Sequence, residues 1–503
     1  MSAVEVASEP QGAEPEVLGA IVGETERFCR AELDAAAIDH DAAIPTSVLE
    51  GLASLGLFGL TLPEAFGGAA LPLASACKVV STIAGFDRSV AVSLGLHLGL
   101  GTRGLVRYGN SAQHERYLPS LCDGTRIAAF STTEAGAGSD LSNLRTQGRL
   151  DGAELVVSGE KIFVTNGGFA GLFTLAVSTP GLGGAQRGQS VVLIEKGDPG
   201  FSVLREEKKL GLKGSSTTAL LLEDVRLPLD RVLGEAGQGA KMLQHILSWG
   251  RTLMSAGCCG TAREAIRRAT EHVSIRRQFG RPLASLEVVR EKLAHMKAKH
   301  FAMESLVDEV AREPEDTLAV RSLAAKVFSS EAGWAVVDTA LQLHGGSGFI
   351  EETGLAVMLR DLRVTRIFEG ANDVLLAHLG AHELGKPAAA KVERPAATEA
   401  VEVELRQLEA LVDGWRRELL ATYKLGVFRA PRVLHQLGEA VMWREASAAA
   451  TRRALRTASP EAIALARTIL SEAHHEVARL TTLPLARDLV EAALGDFPPG
   501  ETR

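Results

Sequence analysis

FSTTEAGAGSD at residues 130–140 and GEKIFVTNGG at 159–168 are the stretches whose joint reading decides the fold. Both are rich in small residues, hydroxyls and backbone left bare of side chains, a composition suited to a flat polar ring approached by main-chain amides. Either one alone reads as a glycine-rich turn in a β-domain. The two together, at this spacing, do not. Around them, over 126–235, lie short runs rich in Val, Ile, Leu and Thr: ELVVSGEKIFVTNG, LFTLAVST, SVVLIEKG, FSVLRE and TTALLLEDVRL. Gly, Asp and Asn separate these runs at intervals that predict an antiparallel β-domain. PGLGGAQRGQ (180–189) reads as a surface connection between two of its strands.

On both sides the pattern changes to helix. Residues 15–125 carry apolar residues at helical spacing, as in SVLEGLASLGLFGL, up to breaks at Pro63 and Gly67-Gly68. From 238 to about 384 the chain is Ala-rich with long amphipathic periods, and GKPAAAKVERPAATE (385–399) reads as a linker. Beyond it Val401, Leu405, Leu408, Val412, Trp415 and Leu419 recur every four and three residues, one apolar stripe on a helix. The expected organisation is a disordered N-terminus (1–14), a helical domain (15–125), a middle β-domain (126–237), a second helical domain (238–384), a linker (385–400) and a C-terminal helical domain (401–503).

Composition narrows the function. At 503 residues two to four domains are expected. An apolar share of 46%, 23% charged residues and a net charge of −8 without a long basic run point away from nucleic acid. The five cysteines (Cys29, Cys77, Cys122, Cys258 and Cys259) show neither CxxC nor Cys/His spacing, so no metal site and no disulfide framework is expected, and a reducing cytoplasm fits. The acidic N-terminus has no apolar core of a secretory signal. No uninterrupted apolar stretch reaches the roughly eighteen residues of a membrane span, so membrane association is expected to be peripheral at most.

SVAVSLGLHLGLGTRG (89–104) pulls the other way. It alternates apolar residues strictly and runs into Gly99-x-Gly101-x-x-Gly104, the look of a strand feeding a dinucleotide fingerprint. No βαβ repeat surrounds it, and the strand-rich region comes later without interleaved helices. A glycine-rich, tightly packed helix pair is the competing reading.

The two opening stretches, together with KLGLKGSSTTALLLEDVRLP (209–228), VLGEAGQG (232–239), RRQFGRPL (276–283), QLHGGSGF (342–349) and RDLRVTRIFEGAND (360–373), resemble the acyl-CoA dehydrogenase family, in order and with matching spacing over roughly 15–380. HILSWGR (245–251), the 89–104 segment and the extra helical tail make the resemblance run most to its very-long-chain branch. The resemblance implies a mostly α fold with a central β-barrel-like domain, and FAD bound without a Rossmann fold. It assigns Phe130, Thr132, Thr133, Gly138, Ser139, Phe163, Val164 and Thr165 to the isoalloxazine and ribityl side. It assigns Arg276, Gln278 and Phe279 to the pyrophosphate and adenosine of a neighbouring subunit, with Gln342, His344, Gly345 and Gly346 as the reciprocal part. Ala371, Asn372 and Asp373 fall in the segment beside the flavin. A cation and consecutive glycine amides are indeed chemistry that suits a pyrophosphate.

Glu369 matches the family's catalytic base. Alone it reads equally as a surface carboxylate or a first-turn helix residue. The family's reaction removes a proton from the carbon next to a thioester while flavin N5 takes a hydride from the next carbon, and such a base must be desolvated and well placed. The base residue's own N–H and a ribityl hydroxyl then polarise the thioester carbonyl. Some relatives carry the base one residue before the helix arginine; here that position is Gly250. Ser248, Trp249, Gly250 and Arg251, with Ser139, Phe368 and Gly370, match the substrate side; Trp249 reads equally as helix-packing core. Gly95 and Gly99, with Gly101, are expected to leave room at the closed end of a long acyl pocket, and Ile367-Phe368 to keep the base dry. Ala135, Phe163 and Ala371 depart from the common Pro, Trp and Thr of the family. The implied partners are an acyl-CoA, an electron-transfer flavoprotein as acceptor and a second copy in a homodimer. An acyl-carrier-linked dehydrogenase or oxidase on the same fold, and a non-catalytic binding protein, are the competing readings.

Overall fold

The computed structural model describes residues 15–184, 188–387 and 399–482. The N-terminal 1–14, part of the 180–189 connection, most of the linker and the tail past 482 lie outside them. The chain divides into two compact units, Met1–Asn372 and Asp373–Arg503.

The first unit opens with α1 (Pro15–Glu32), α2 (Ala35–Asp41), α3 (Thr46–Ser54), α4 (Leu73–Ala84), α5 (Arg88–Leu96), α6 (Arg103–Tyr108) and α7 (Ser111–Cys122). Local chemistry sets several starts. The Asp34 carboxylate accepts from the Ala36 and Ala37 amides, Asp87 caps α5 through the Val90 amide, and Asn110 and Gln113 form a reciprocal capping box on α7.

The 89–104 segment is not a strand. It is α5, then a π-helical turn at His97–Gly101, then α6. Most of the run is buried, so no single face is marked and the period misleads. Arg88–Tyr108 is long and apolar enough to cross a membrane, and 78% of that window is buried inside the protein.

The middle domain holds β1 (Ala128–Ser131), β2 (Gln147–Asp151), β3 (Glu154–Thr165), β4 (Leu172–Ser178), β5 (Gln189–Glu195), β6 (Phe201–Glu206), β7 (Thr217–Pro228) and β8 (Val232–Leu233). They form one sheet in the order β6-β7-β3-β2-β4-β5-β8, with β1 added beside β4. The main ladders are antiparallel as expected, but β1 pairs with β4 in parallel. Two strands intervene between β1 and β4, so no hairpin forces the opposite direction.

The second helical layer is α8 (Gly239–Ile275), the short β9 (Arg277–Gln278) and β10 (Arg281–Pro282), α9 (Glu287–Val310), α10 (Leu318–His344) and α11 (Leu355–Arg363). Small residues on α8 permit close approach: a Cβ on Gly260 would lie 1.9 Å from the Ser81 carbonyl oxygen of α4. All five cysteines are free and buried, and among the described residues no cluster could hold a metal ion.

The second unit contains α12 (Asn372–Gly385), which starts at the division, α13 (Ala400–Tyr423), α14 (Pro431–Thr457) and α15 (Pro460–Thr482). The α13 stripe read from sequence is its buried face, all six residues included. Helices α12 and α14 meet backbone to backbone, since a Cβ on Gly380 would strike the Leu434 carbonyl and one on Gly438 the Leu376 carbonyl. Beside them Arg444 grips Glu383 with both terminal nitrogens, at 2.7 and 3.0 Å. This pair, with Lys386, holds the Glu383 carboxyl down at about 2 against the burial that opposes it.

Breaking a buried pair from one side strands the other charge. Arg444→Met should therefore destabilise the protein by about 3 kcal/mol in urea unfolding at pH 7. The Glu383 contribution is present above its ordinary value of 4.5 and is lost as pH falls towards about 2. The gap between variant and wild type should accordingly shrink at pH 3.

Candidate active site

Glu369 sits on a turn between α11 and α12, and the turn is unusual. Its φ is 55° and that of Gly370 is 101°, two successive left-handed residues of which only the second is glycine. Such a conformation persists in a non-glycine residue only where surroundings over-determine it. Buried cations provide that constraint. Arg251 Nε donates to the Glu369 carbonyl at 3.0 Å, and Lys326 Nζ donates to the Gly370 carbonyl at 2.8 Å. Lys326 also donates to Asn372 Oδ1 at 2.7 Å. The Asn372 amide donates to Ser330 Oγ and Glu331 Oε1, and Glu331 Oε1 also accepts from Arg366 Nε at 2.8 Å.

The carboxylate itself is left alone. Glu369 Oε2 is buried and has no hydrogen-bond partner. The residue as a whole keeps some exposure, but this oxygen has none, and the oxygen governs the titration. Burial pushes the carboxyl up to about 7, with Arg251, Lys326 and Arg88 pulling the other way. The same burial brings Lys326 down to about 8 and Arg251 to about 10. Gly250 makes the space: a Cβ there would lie 3.0 Å from Oε2 and 2.4 Å from Leu100 Cδ2.

Other expected substrate-side residues divide. Arg251 faces the turn. Ser248 is buried and returns its hydroxyl to the Gln244 carbonyl of its own helix. Trp249 is buried under the Arg103 guanidinium, 3.9 Å above its ring, and packs as core. Ile367 is 55% exposed, so it does not dry the base; Phe368 is half-buried. Gly99 leaves no open space, whereas Gly95 leaves room for no more than a methyl group. A Cβ on Gly99 would meet Leu253 Cδ1 at 2.9 Å, and one on Gly95 would touch Val80 and Leu253. A Cβ on Gly101 would press on Ala128 at 2.7 Å, so Gly99 lets this turn pack on α8 and Gly101 lets it pack on β1.

The two stretches that opened the reading of the sequence are brought together. Lys161 Nζ, wholly buried on β3, donates to Glu134 Oε1 at 2.7 Å, while the Arg145 and Thr146 amides donate to the same carboxylate. The Ile162 amide donates to the Thr133 carbonyl. On this frame Phe130 and Thr132 are buried and Thr133 half-buried, while Gly138 and Ser139 are exposed. Between Lys161 and Val164 the β3–β7 register shifts, and at that bulge Phe163 takes a φ of 57° and is 63% exposed. Val164 is fully buried and Thr165 half-buried. An exposed aromatic on a left-handed bulge is a functional sign.

A third group gathers at the ends of α8 and α10. Arg276, Gln278 and Phe279 are exposed on the β9–β10 hairpin, Phe279 with a φ of 52°. His344 stacks on His272 at 4.2 Å, which sets Gln342, Gly345 and Gly346 beside the end of α8. Ala371 lies in the Glu369 turn; Asp373 begins the second unit with its side chain 91% exposed.

Sequence reading missed several supporting groups. Lys326 lies in the apolar run AAKVF, and a lysine there was the available signal. Asn166, φ 66°, donates to the carbonyls of Ser93 and Ala128. His97 sits in the π-helical turn, wholly buried: its Nδ1 accepts from the Ala128 amide at 3.0 Å and its Nε2 donates to the Phe58 carbonyl at 3.2 Å. It thereby anchors β1, which leads to Phe130, and burial brings its ring down to about 4.

Comparison with known proteins fits this geometry. Three descriptions match in order: the acyl-CoA dehydrogenase N-terminal domain over residues 16–125, middle domain over 129–225 and C-terminal domain over 237–384. This chain belongs to the acyl-CoA dehydrogenase family. It is 36% identical over 364 residues to the mitochondrial very long-chain specific acyl-CoA dehydrogenase of Bos taurus, a match covering 71% of this chain and 56% of that protein. The chain thus spans about half the length of that relative. It is 33% identical to an acyl-CoA dehydrogenase of Bacillus subtilis, over 71% of this chain and 95% of the relative. The structure of an acyl-CoA dehydrogenase complexed with FAD from Bacillus anthracis matches with a TM-score of 0.83 at 28% identity, over 94% of this chain and 88% of that one.

His97→Leu removes both an acceptor and a donor from a buried site, so it should cost about 2 to 4 kcal/mol in denaturant unfolding at pH 7. The wild type should lose part of its stability as pH falls from 6.5 towards about 4, because only the unfolded ring takes up a proton there. The variant should lack that component.

Proposed function

We propose that this protein is an FAD-dependent acyl-CoA dehydrogenase that forms the α,β-double bond of an acyl-CoA thioester, with Glu369 as the base. The carrying observation is the Glu369 carboxylate, buried, without a hydrogen-bond partner and placed over Gly250. A carboxylate so desolvated is a stronger base than one in water, and its Oε2 is left free to take the α-proton. Arg251 and Lys326 bind the backbone of the turn and so hold the base in place without bonding to its carboxylate. The Glu369 amide, on the same fixed turn, is the donor suited to the thioester carbonyl as negative charge develops on it.

The residues fit the cofactor. Exposed Phe163 and the exposed Gly138–Ser139 backbone suit a flat ring, and Arg276 with the glycines after His344 suits a pyrophosphate. FAD, when bound, supplies the hydride acceptor for the β-carbon. An electron-transfer flavoprotein is the acceptor in this reading. The similarity to very-long-chain enzymes favours a long acyl chain, a preference to which the packed Gly99 and Gly101 of the π-helical turn add nothing. Free, buried cysteines favour the cytoplasm.

Glu369→Gln should keep its flavin and lose dehydrogenation of any acyl-CoA in a dye-reduction assay by about a thousandfold. A variant with undiminished turnover overturns the assignment. Wild-type kcat/KM should rise with pH through about 7, where the base ionises. Ionisation of the buried carboxyl destabilises the fold progressively between 4.5 and about 7. Glu369→Gln should therefore be the more stable protein at pH 8, by up to about 3 kcal/mol, and lose that advantage near pH 4.5.

A homodimer belongs to the same reading. Ile275 is 73%, Phe279 86%, Phe349 80% and Ile350 52% exposed around the ends of α8 and α10, an apolar surface suited to a second copy. Light scattering should give the mass of two chains, and Phe279→Ser with Phe349→Ser should reduce it to one.

A further inference from the structure

The segment between β6 and β7, residues 207–216, takes no part in the mechanism above, yet polar groups hold it at both ends. At one end it lies on α11. The Asp361 carboxylate, 3% exposed, accepts from the Leu212 amide at 2.5 Å, and a Cβ on Gly211 would lie 2.3 Å from the Arg360 carbonyl. Arg360 donates to the Leu210 carbonyl at 3.0 Å and to both oxygens of Asp39 on α2 at 2.9 and 2.7 Å. Lys213 pairs with the same Asp39 carboxylate at 3.3 Å. Leu212 is 4% exposed with a φ of 49°, a left-handed leucine that its surroundings must hold.

At its other end the segment enters β7 against the end of β3. The Ser216 carbonyl accepts from the Asn166 amide at 3.0 Å. Ser216 Oγ accepts from the Gly168 amide at 2.7 Å and donates to Glu206 Oε1 at 2.6 Å. Asn166 lies three residues past Phe163, on the stretch suited to the flavin ring. Inside the segment Lys209 Nζ donates to Ser215 Oγ at 3.0 Å and Thr217 Oγ1 at 2.8 Å, and the Ser215 amide donates to the Leu212 carbonyl at 3.1 Å. The way from Asp361 to the base is equally stiff. Helix α11 runs into a tight turn at Val364–Arg366, and the Ile367 and Phe368 amides both donate to the Val364 carbonyl, at 2.8 and 3.0 Å. Successive hydrogen-bonded segments therefore join the Glu369 turn to the end of β3.

We propose that Asp361 is a positioning residue, and that residues 207–216 are a strut that sets the Glu369 carboxylate against the flavin. The base takes a proton from the α-carbon while the hydride leaves the β-carbon of the same chain, so the two acceptors must keep a fixed separation. A misplacement of about 1 Å costs on the order of a hundredfold in rate. Arg251 and Lys326 bind the turn to α8 and α10, and the strut ties it to the sheet that carries Phe163. This rests on the dehydrogenase reading and adds to it a residue that acts through others.

The test takes two readouts per bound flavin from the flavin-loaded enzyme. One is kcat for a saturated acyl-CoA with a dye acceptor. The other is the long-wavelength absorbance given by an acyl-CoA analogue with sulfur in place of the β-methylene. That analogue can yield its α-proton to the base but has no hydride to pass on, so the band reports base and ring without turnover. Asp361→Leu should lower kcat by on the order of tenfold or more, leave KM nearly unchanged and weaken the band. Asp361→Asn, which keeps an oxygen for the Leu212 amide, should restore most of both. Ser216→Ala, at the other end, should act like Asp361→Leu, and the double variant should lose little more than the worse single one, since a strut cut once carries nothing. A merely structural role would lower Tm and leave kcat and band per bound flavin unchanged. That result, or losses that multiply in the double variant, overturns the proposal while leaving the dehydrogenase reading intact. Should Asp361→Leu fail to fold, Ser216→Ala and Lys209→Met, which cuts the strut in its middle, decide by the same two readouts. A wild type with neither turnover nor band overturns both.

Discussion

The first unit is organised around one carboxylate oxygen kept out of water and out of hydrogen bonds. Two cations lie close to Glu369, and either could have neutralised it by direct contact. Instead Arg251 donates to the carbonyl of Glu369 itself and Lys326 to that of Gly370. The distinction matters because a hydrogen bond to the ionised form would lower the pKa, whereas a bond to the neighbouring backbone leaves the basicity largely to burial. The cations thus spend their hydrogen bonds on geometry.

That geometry is strained, and the strain explains the breadth of the supporting network. A left-handed glutamate costs roughly 1 to 2 kcal/mol relative to ordinary backbone. The turn is fixed through Lys326, Asn372, Ser330, Glu331 and Arg366, so its relaxation would strand several buried polar groups at once. The middle domain uses the same device at Phe163, where a bulge and the Glu134–Lys161 pair fix a left-handed aromatic at the surface. Both points singled out for chemistry are places where local preference is overridden by distant contacts.

Contiguous features were legible in the sequence, and features assembled from distant segments were not. The RIFEGAND and FSTTEAGAGSD stretches carry their own order and spacing, and the α13 stripe is written at helical period in a helix with one wet face. By contrast 89–104 alternates like a strand because a helix buried on all sides needs no period. The roles of Lys326, His97 and Asn166 depend on contacts 30 to 70 residues away or more, such as Lys326 with Gly370 and Asn166 with Ser93. For Lys326 and His97 a polar residue in an apolar run was the trace, and for Asn166 its place before Gly167-Gly168. For Trp249 the sequence was evenly balanced, and Arg103 stacked on its ring places it in the core.

Glycine shows why composition alone could not locate the site. The absence of a side chain at Gly95, Gly99 and Gly101 suggested space for a ligand, yet the Cβ positions of Gly99 and Gly101 are crowded by Leu253 and Ala128, and that of Gly95 has room for a methyl group only. There the glycines are consumed in bringing helices and sheet into contact. At Gly257 on α8 the missing Cβ position faces Arg88, and at Gly250 it faces Leu100 together with the Glu369 carboxylate. The difference lies in whether the end of a charged side chain reaches the released volume beside the apolar contacts. Only there does the space carry chemistry, because a carboxylate kept out of water beside Gly250 is made more basic by burial.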